Sequence, residues 1–289
     1  MANVTTTTAA VDLDDGWTPE LNRAVQLNIV IAALFADRTG QLRHGNVLHE
    51  PASHNLTANT KSAGSALTPE AITESEQTYT VSTHQAVAQE IEDIAEIQSK
   101  YELRAETTRM GAYSLARAMD VAGAALLDDN TLQTVGTAGA ELSYDNLLAG
   151  RNYLSNSPVP GELVMVVAPA TYSGFLKIDQ FTNMAYNGDP KGMAVRKAQV
   201  GKVFNTTIYE SQLTTGTSPT SNGAWWAKGH FFKIVQRPPT THTWYSPLDV
   251  AWVVSMDQIY GVFEREEGDE AAAVTTTARL GSVRLVAVK

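Results

Sequence analysis

Cysteine is absent from all 289 residues, which removes disulfide frameworks, thiolate metal sites and cysteine nucleophiles together. Positive charge is also scarce, with 21 Lys and Arg against 31 Asp and Glu for a formal net charge of -10. A surface of that sign repels nucleic acid unless its few cations are gathered on one face, so a sequence-specific DNA binder is not expected. Long apolar runs are missing too. The most apolar early stretch, residues 24–36, is interrupted by Gln26 and Asn28 and falls short of the ~20 residues that a membrane helix requires. The first residues, Met1-Ala-Asn-Val-Thr-Thr-Thr-Thr8, carry neither the cationic nor the apolar region of a secretory signal, so a soluble chain made in a cytoplasm is expected. Phosphate loops, dinucleotide fingerprints, nucleophile elbows and zinc-protease motifs do not occur, so no catalytic residue, cofactor or metal ligand is assigned.

The composition that remains is globular: 43% hydrophobic and 18% charged, enough apolar surface for a core. Residues 1–15 are rich in Thr and Ala and then acidic (Asp12, Asp14, Asp15), the texture of an arm that orders against a neighbour. Thr18-Pro19-Glu20 then predicts a helix start, with Thr18 as N-cap and Pro19 at the first helical position; the helix would bury Leu21, Val25, Ile29 and Ala32 or Ala33. From residue 41 to 83 the chain is polar, alternates like strands at both ends, and has a tip of small residues from Asn59 to Ala66. This pattern predicts a long hairpin that needs a partner to lie on.

Val87, Ile91, Ile94, Gln98, Tyr101, Ala105, Thr108, Ala112, Leu115, Met119, Ala122 and Leu126 then recur at spacings of four and three. They predict one continuous helical stripe or two helices in phase. Unbroken, the rod would approach 60 Å at a rise of ~1.5 Å per residue, and an elongated subunit follows. Beyond residue 130 the texture is mixed: a helix over 143–155 with Ser143 as N-cap, a buried strand over 163–169, a short helix over 170–178, and a loop over 180–192. A strand follows over 203–209, then a loose exposed loop over 214–223. Strands over 225–235 and 249–256 are expected to flank Arg237-Pro-Pro239, and two more over 261–266 and 283–288 to flank an acidic turn.

Three clusters invite a chemical reading. Glu90, Glu92, Asp93 and Glu96 would flank the helical stripe without converging, which favours a solvated face over a cation site. His44, His49 and His54 are spaced by five, and neither a helix nor a strand brings all three to one face. Trp225-Trp226 beside Lys228, His230 and Lys233 has the basic-aromatic texture of a single-strand binding surface. Strand alternation instead places one Trp inward and one outward, as core plus subunit contact.

Read in order, several segments resemble the major capsid proteins of tailed double-stranded DNA bacteriophages, with the Hong Kong 97-like fold. The likeness is carried by Trp17-Thr-Pro-Glu20 and its helix, Gly45-Asn-Val-Leu-His-Glu-Pro51, Leu67-Thr-Pro-Glu-Ala-Ile-Thr73, and Glu90-Ile-Glu-Asp-Ile-Ala-Glu-Ile-Gln98 leading to Arg104 through Asp120. Val164-Met-Val-Val-Ala-Pro169, Tyr260-Gly-Val-Phe263 and Arg279-Leu-Gly-Ser-Val-Arg-Leu285 add to it.

The resemblance implies an α+β fold with an N-terminal arm and helix (1–40), an extended E-loop hairpin (41–83), a peripheral domain with a long spine helix (84–158 and 243–289), and an axial domain with a central mixed sheet (159–242). It implies a non-enzymatic shell subunit whose copies form pentamers and hexamers around the packaged DNA, in a virion assembled in a bacterial cytoplasm. E-loops would lie across neighbours, and the inner face would meet DNA non-specifically. Scaffolding protein, portal and possible decoration protein are the expected partners, with no membrane. Inter-subunit contact candidates are Trp17, Lys61, Tyr79, Arg104, Arg109, Trp225 and Trp226. Lys61, the one lysine before Lys100, sits where some members of this fold form a covalent cross-link to a neighbour's asparagine. Alternative readings are an encapsulin-type nanocompartment shell, or a Thr-rich surface or adhesion protein suggested by the threonine runs at 5–8 and 275–277.

Overall fold

The computed structural model describes residues 26–27, 29–52, 58–67, 69, 75–99, 102–129, 133–156, 161–179, 202–204, 206–218, 220–265 and 282–288. The start of the helix expected from Thr18, the loop over 180–192 and the acidic turn from Glu266 to Glu270 lie outside these residues; where that helix was expected to continue, residues 26, 27, 29 and 30 are not helical and only Ile31–Leu34 forms a single turn, with Ala32 buried and Ala33 exposed.

Three sheets organise the chain. The smallest is the hairpin of strands Val47–Ala52 (β2) and Ser75–Thr80 (β3), antiparallel with Val47 opposite Thr80 and Ala52 opposite Ser75. It forms where the alternating sequence predicts it. A four-stranded sheet has the order β1-β10-β11-β4, built from Ala36–Asp37 (β1), Phe231–Ser246 (β10), Ala251–Glu264 (β11) and Thr83–Glu92 (β4). A six-stranded sheet has the order β5-β12-β9-β6-β8-β7, from Thr134–Gly136 (β5), Ser282–Val288 (β12), Thr220–Ala227 (β9), Leu163–Val167 (β6), Thr206–Glu210 (β8) and Lys202–Val203 (β7). Parallel and antiparallel pairs mix within it.

The helical stripe divides at its first third. Residues 83–92 form β4, paired with β11 from Tyr260 opposite Thr83 to Ala251 opposite Glu92. A short helix, Asp93–Gln98 (α2), follows, and then one long helix, Leu103–Asp128 (α3). The error has a simple origin: Val87 and Ile91 are four apart, and four is both one helical turn and two strand repeats. The 26 residues of α3 span roughly 39 Å at 1.5 Å each.

Two core layers sandwich the six-stranded sheet. On one face Met165, Val167, Trp225, Val283 and Leu285 pack with Leu147 and Leu154 of Tyr144–Asn156 (α4) and with Phe175 of Pro169–Phe175 (α5). On the other, Val164, Val166, Ala224 and Trp226 meet Ala124 and Leu127 of α3, Phe231, and Ile31 and Phe35 around Ile31–Leu34 (α1). A strand covered on both sides needs apolar residues at every position, which is why β6 reads Leu-Val-Met-Val-Val. Helix α4 starts as expected, with Asn146 N–H donating to Ser143 Oγ at 3.2 Å.

Helix α3 joins the two larger sheets. Its first half lies on the four-stranded sheet, where Gly111 allows close approach: a Cβ there would lie 2.7 Å from Met256 Sδ. Gln258, fully buried, donates its Nε2 to Leu115 O at 2.8 Å. The last turns cover the six-stranded sheet through Ala124 and Leu127.

Other boundaries differ from expectation. The segment 225–235 is not one strand: β9 ends at Ala227, a turn follows, and β10 begins at Phe231 in another sheet. Pro238 and Pro239 lie inside β10, where the register with β11 shifts between Val235 and Arg237 and again before Thr240. Bulges tolerate proline because the ladder is already interrupted there. The expected loop 214–223 is buried in part, at Thr214, Ser221 and Asn222, and its end belongs to β9. The expected strand 203–209 is two, β7 and β8, hinged at Phe204 with φ 49°.

Candidate subunit interface

Strands β10 and β11 extend beyond the three apolar clusters as a ribbon with β4 alongside, one face of it buried against α3 at Val254 and Met256. Fourteen residues of β11 reach roughly 45 Å at about 3.3 Å each. The ribbon ends in the turn Ser246-Pro247-Leu248-Asp249, where Ser246 Oγ donates to Asp249 Oδ2 at 2.5 Å and Pro sits at the second turn position. The chain then places large apolar side chains in water: Trp244 is 49% exposed, Leu248 94% and Val250 54%. Next to them α2 exposes Ile94 at 63% and Ile97 at 83%.

The patch is fixed in place from beneath. Asp93 N–H donates to Val250 O at 3.2 Å, and Tyr245 Oη donates to Asp93 Oδ2 at 3.1 Å. That hydrogen bond, with burial and the carboxylate charge behind it, raises the Tyr245 phenol above its usual range. Tyr245 packs edge-on against Trp252 at 5.3 Å, and the Arg104 guanidinium lies 4.9 Å from the Trp252 ring centre. Arg104 Nε also donates to Glu96 Oε1 at 2.5 Å. Val250 has φ 50°, an uncommon and strained conformation for a β-branched residue. A rigid surface of large apolar groups, one of them held under backbone strain, has the character of a contact site.

Halfway along the ribbon, Asp257 of β11 gathers polar groups from the two strands that flank it. Its Oδ2 lies 3.0 Å from His84 Nε2 on β4 and 3.0 Å from Arg237 Nη1 on β10. Its Oδ1 accepts from Thr240 Oγ1 at 2.9 Å and lies 3.6 Å from His242 Nε2. The bond to His84 and then that to Thr240, with the Arg237 charge behind them, hold the Asp257 carboxyl below its ordinary value.

The hairpin β2–β3 is rooted firmly and exposed outward. Tyr79 stands edge-on to Phe232 at 4.9 Å, beside Val81 and Ile234. Glu50 on β2 is paired with Arg38 at 2.9 Å and Arg265 at 3.3 Å. Every residue from 58 to 67 is exposed, Leu67 at 60%.

The seven candidate contact residues therefore separate. Lys61 is exposed near the hairpin tip. Arg104 is part of the patch support, and Arg109 pairs with Glu106 at 2.6 Å and donates to Gln26 at 3.1 Å. Tyr79 is 6% exposed and serves the hairpin root. Trp225 and Trp226 do face opposite sides of their strand, yet both are 0% exposed, because the sheet is covered on both faces. Neither Trp is an outward contact. Trp17 lies outside the described residues.

The basic-aromatic cluster disperses as well. His230 is buried, with Nε2 2.9 Å from Glu264 Oε1, and Lys233 Nζ donates to Ala32 O at 2.9 Å. Glu90 and Glu92 lie exposed on a strand instead of a helix, and His49 lies beside Glu76 at 3.2 Å with His54 outside the described residues. Among the described residues, no group of three or more His, Asp or Glu is placed to hold a metal ion, and no helix is long and apolar enough to cross a membrane. The apolar ribbon tip escaped the sequence reading, although an isolated Leu248 in a Ser-Pro-x-Asp turn beside Trp244 and Val250 was the available signal.

No family model matches the sequence, and no curated protein matches it significantly. Solved structures do match it across nearly the whole chain. A structure from Mycobacterium phage Che8 aligns with a TM-score of 0.80 at 20% identity, covering 94% of this chain and 96% of that one. An acid-stable capsid structure of Helicobacter pylori bacteriophage KHP30 aligns at 0.77 and 10% identity, covering 100% and 99%. The capsid structure of cyanophage P-SCSP1u aligns at 0.73 and 14% identity, covering 97% and 94%. At such identities the likeness is one of fold: this chain has the α+β fold of phage capsid chains.

Proposed function

We propose that this chain is the major capsid protein of a tailed phage, a structural subunit that assembles in many copies into a closed icosahedral shell around double-stranded DNA. The observation that carries the reading is the full-length likeness of fold to phage capsid structures. The ribbon tip supports it independently. Trp244, Leu248, Val250, Ile94 and Ile97 are large apolar groups displayed in water, and burying them against another copy returns roughly 25 cal/mol per Å².

The exposed hairpin tip around Lys61 is the second surface offered to neighbours, as the E-loop. Heterologous contacts repeated about rotation axes close into pentamers and hexamers, and many weak contacts together hold a shell. We assign α3 and the four-stranded sheet to the peripheral part and the six-stranded sheet with α4 and α5 to the axial part. The expected cut between residues 242 and 243 falls inside β10, and the division we adopt follows the sheets. The role is structural, with no catalytic step. The net charge of -10 suits a container, because a strongly basic lining would bind the genome tightly. Scaffolding protein and portal are the partners expected during assembly in the host cytoplasm, and a decoration protein is a possible third.

Negative-stain microscopy of the expressed chain, alone and with a scaffolding partner, tests this reading. Closed shells or capsomers are expected, and a double variant Ile97→Asp, Leu248→Asp should remain dispersed while melting as the parent does. Monomers under every condition would overturn the proposal.

A further inference from the structure

The two larger sheets have four edges, and three of them are short. Strands β1, β5 and β7 have two, three and two residues, too few to template a neighbour. Strand β4 differs: it lies at the edge of the four-stranded sheet and runs for ten residues in unbroken register with β11, its one strand partner among the described residues. A free edge of that length presents a row of backbone N–H and C=O groups, which proteins usually blunt with proline, lysine or a bulge. Thr83-His-Gln-Ala-Val-Ala-Gln-Glu-Ile-Glu92 carries none of the three.

Its side chains divide by face. The odd-numbered ones turn towards α3, where Thr107 Oγ1 donates to Gln89 Oε1 at 3.2 Å and Ile91 is buried. The even-numbered ones, His84, Ala86, Ala88, Glu90 and Glu92, are all exposed on the open face. Along that face the charges are segregated. His84, whose Nε2 lies 3.0 Å from Asp257 Oδ2, stands at one end, the two glutamates at the other, and small residues between. A second copy turned about a two-fold axis normal to the sheet at Ala88 would run antiparallel, and faces match only if even residues oppose even ones. Ala88 then meets its own counterpart, Ala86 meets the partner's Glu90, and His84 meets the partner's Glu92. Parallel pairing in register would instead set glutamate beside glutamate, which is unfavourable.

The helices leave room for this approach. Helix α3 packs chiefly on β11, the strand next to the edge. Two such helices would be separated by three strand spacings, about 14 Å at ~4.8 Å each, which exceeds the ~10–12 Å diameter of a helix with its side chains.

We propose that β4 is an edge through which two copies of this chain join, antiparallel about a two-fold axis at Ala88, so that two four-stranded sheets become one continuous sheet. The pairing stands on the edge itself, while its use rests on the shell reading: a closed icosahedral shell contains two-fold axes, where a self-complementary edge joins neighbouring rings.

Disulfide trapping tests the pairing without background, because the chain has no cysteine. Directly opposite residues of antiparallel strands hold their Cβ atoms about 4.5–5.5 Å apart, near disulfide geometry. On mild oxidation Ala88→Cys should give a linked dimer on a non-reducing denaturing gel. Ala86→Cys and Glu90→Cys should each stay monomeric alone and give a dimer when the two variants are mixed before assembly. Glu92 makes no capping bond to α2, so adding Glu92→Lys to Ala88→Cys should leave the melting temperature unmoved and lower the dimer yield at least about threefold. Oxidation is carried out on the concentrated dispersed chain and on particles checked by microscopy. No Ala88→Cys dimer in either sample, or self-linking of Ala86→Cys, overturns the pairing whether or not shells form. A dimer from dispersed protein that never builds shells upholds the pairing and counts against the shell reading alone.

Discussion

Gly223 and Val166 meet where two strands of the six-stranded sheet run close together: a Cβ on Gly223 would lie 2.4 Å from the Val166 carbonyl oxygen. Backbone cannot swing aside as a flexible side chain can, so the smallest side chain forces the strands apart. Gly223→Ala should therefore destabilise the subunit by about 2 kcal/mol, read as a lower denaturant midpoint at unchanged slope. A parent-like midpoint would show that the sheet absorbs the methyl group.

Acid should weaken the ribbon through Asp257. A carboxyl whose folded pKa lies below its unfolded value adds stability that is present above the ordinary value of 3.8 and is lost as the pH falls through the folded value. Melting temperatures measured from about pH 5 down to about pH 3 should fall more steeply for the parent than for Asp257→Asn, the two curves converging at the acid end. Parallel curves would mean that the charges gathered by Asp257 contribute nothing to folding.

Much of this was legible beforehand, and the failures have physical causes. The hairpin declared itself through alternation with small residues between, and α4 through Ser143. Val87 and Ile91 misled because their spacing satisfies two periodicities at once. Trp225 and Trp226 misled in another way: alternation correctly sent them to opposite faces, but a local pattern carries no information on how many layers cover a sheet. Pro238 and Pro239 looked like a break because the bulges that admit them are fixed by the pairing of β10 with β11, not by nearby residues. The apolar patch at Leu248 was hidden for the same reason, since exposure depends on the whole fold.

Val250 couples stability to assembly. Its left-handed backbone costs a β-branched residue on the order of 1–3 kcal/mol, and its side chain is half exposed. Val250→Gly should raise the melting temperature, by an amount equivalent to about 1 kcal/mol once the greater freedom of the unfolded glycine is counted. The same variant should assemble more slowly, as followed by light scattering, because one apolar group leaves the patch. A lower melting temperature would place the strain elsewhere.

The central claim is that copies of this chain meet through the ribbon tip and the exposed hairpin. A density map of the assembled particle at side-chain resolution tests it most directly. The account predicts Ile97, Trp244 and Leu248 buried against a neighbouring copy, with residues 58–67 lying across another. A particle in which these side chains stay in solvent, its copies joined through other surfaces, would contradict it.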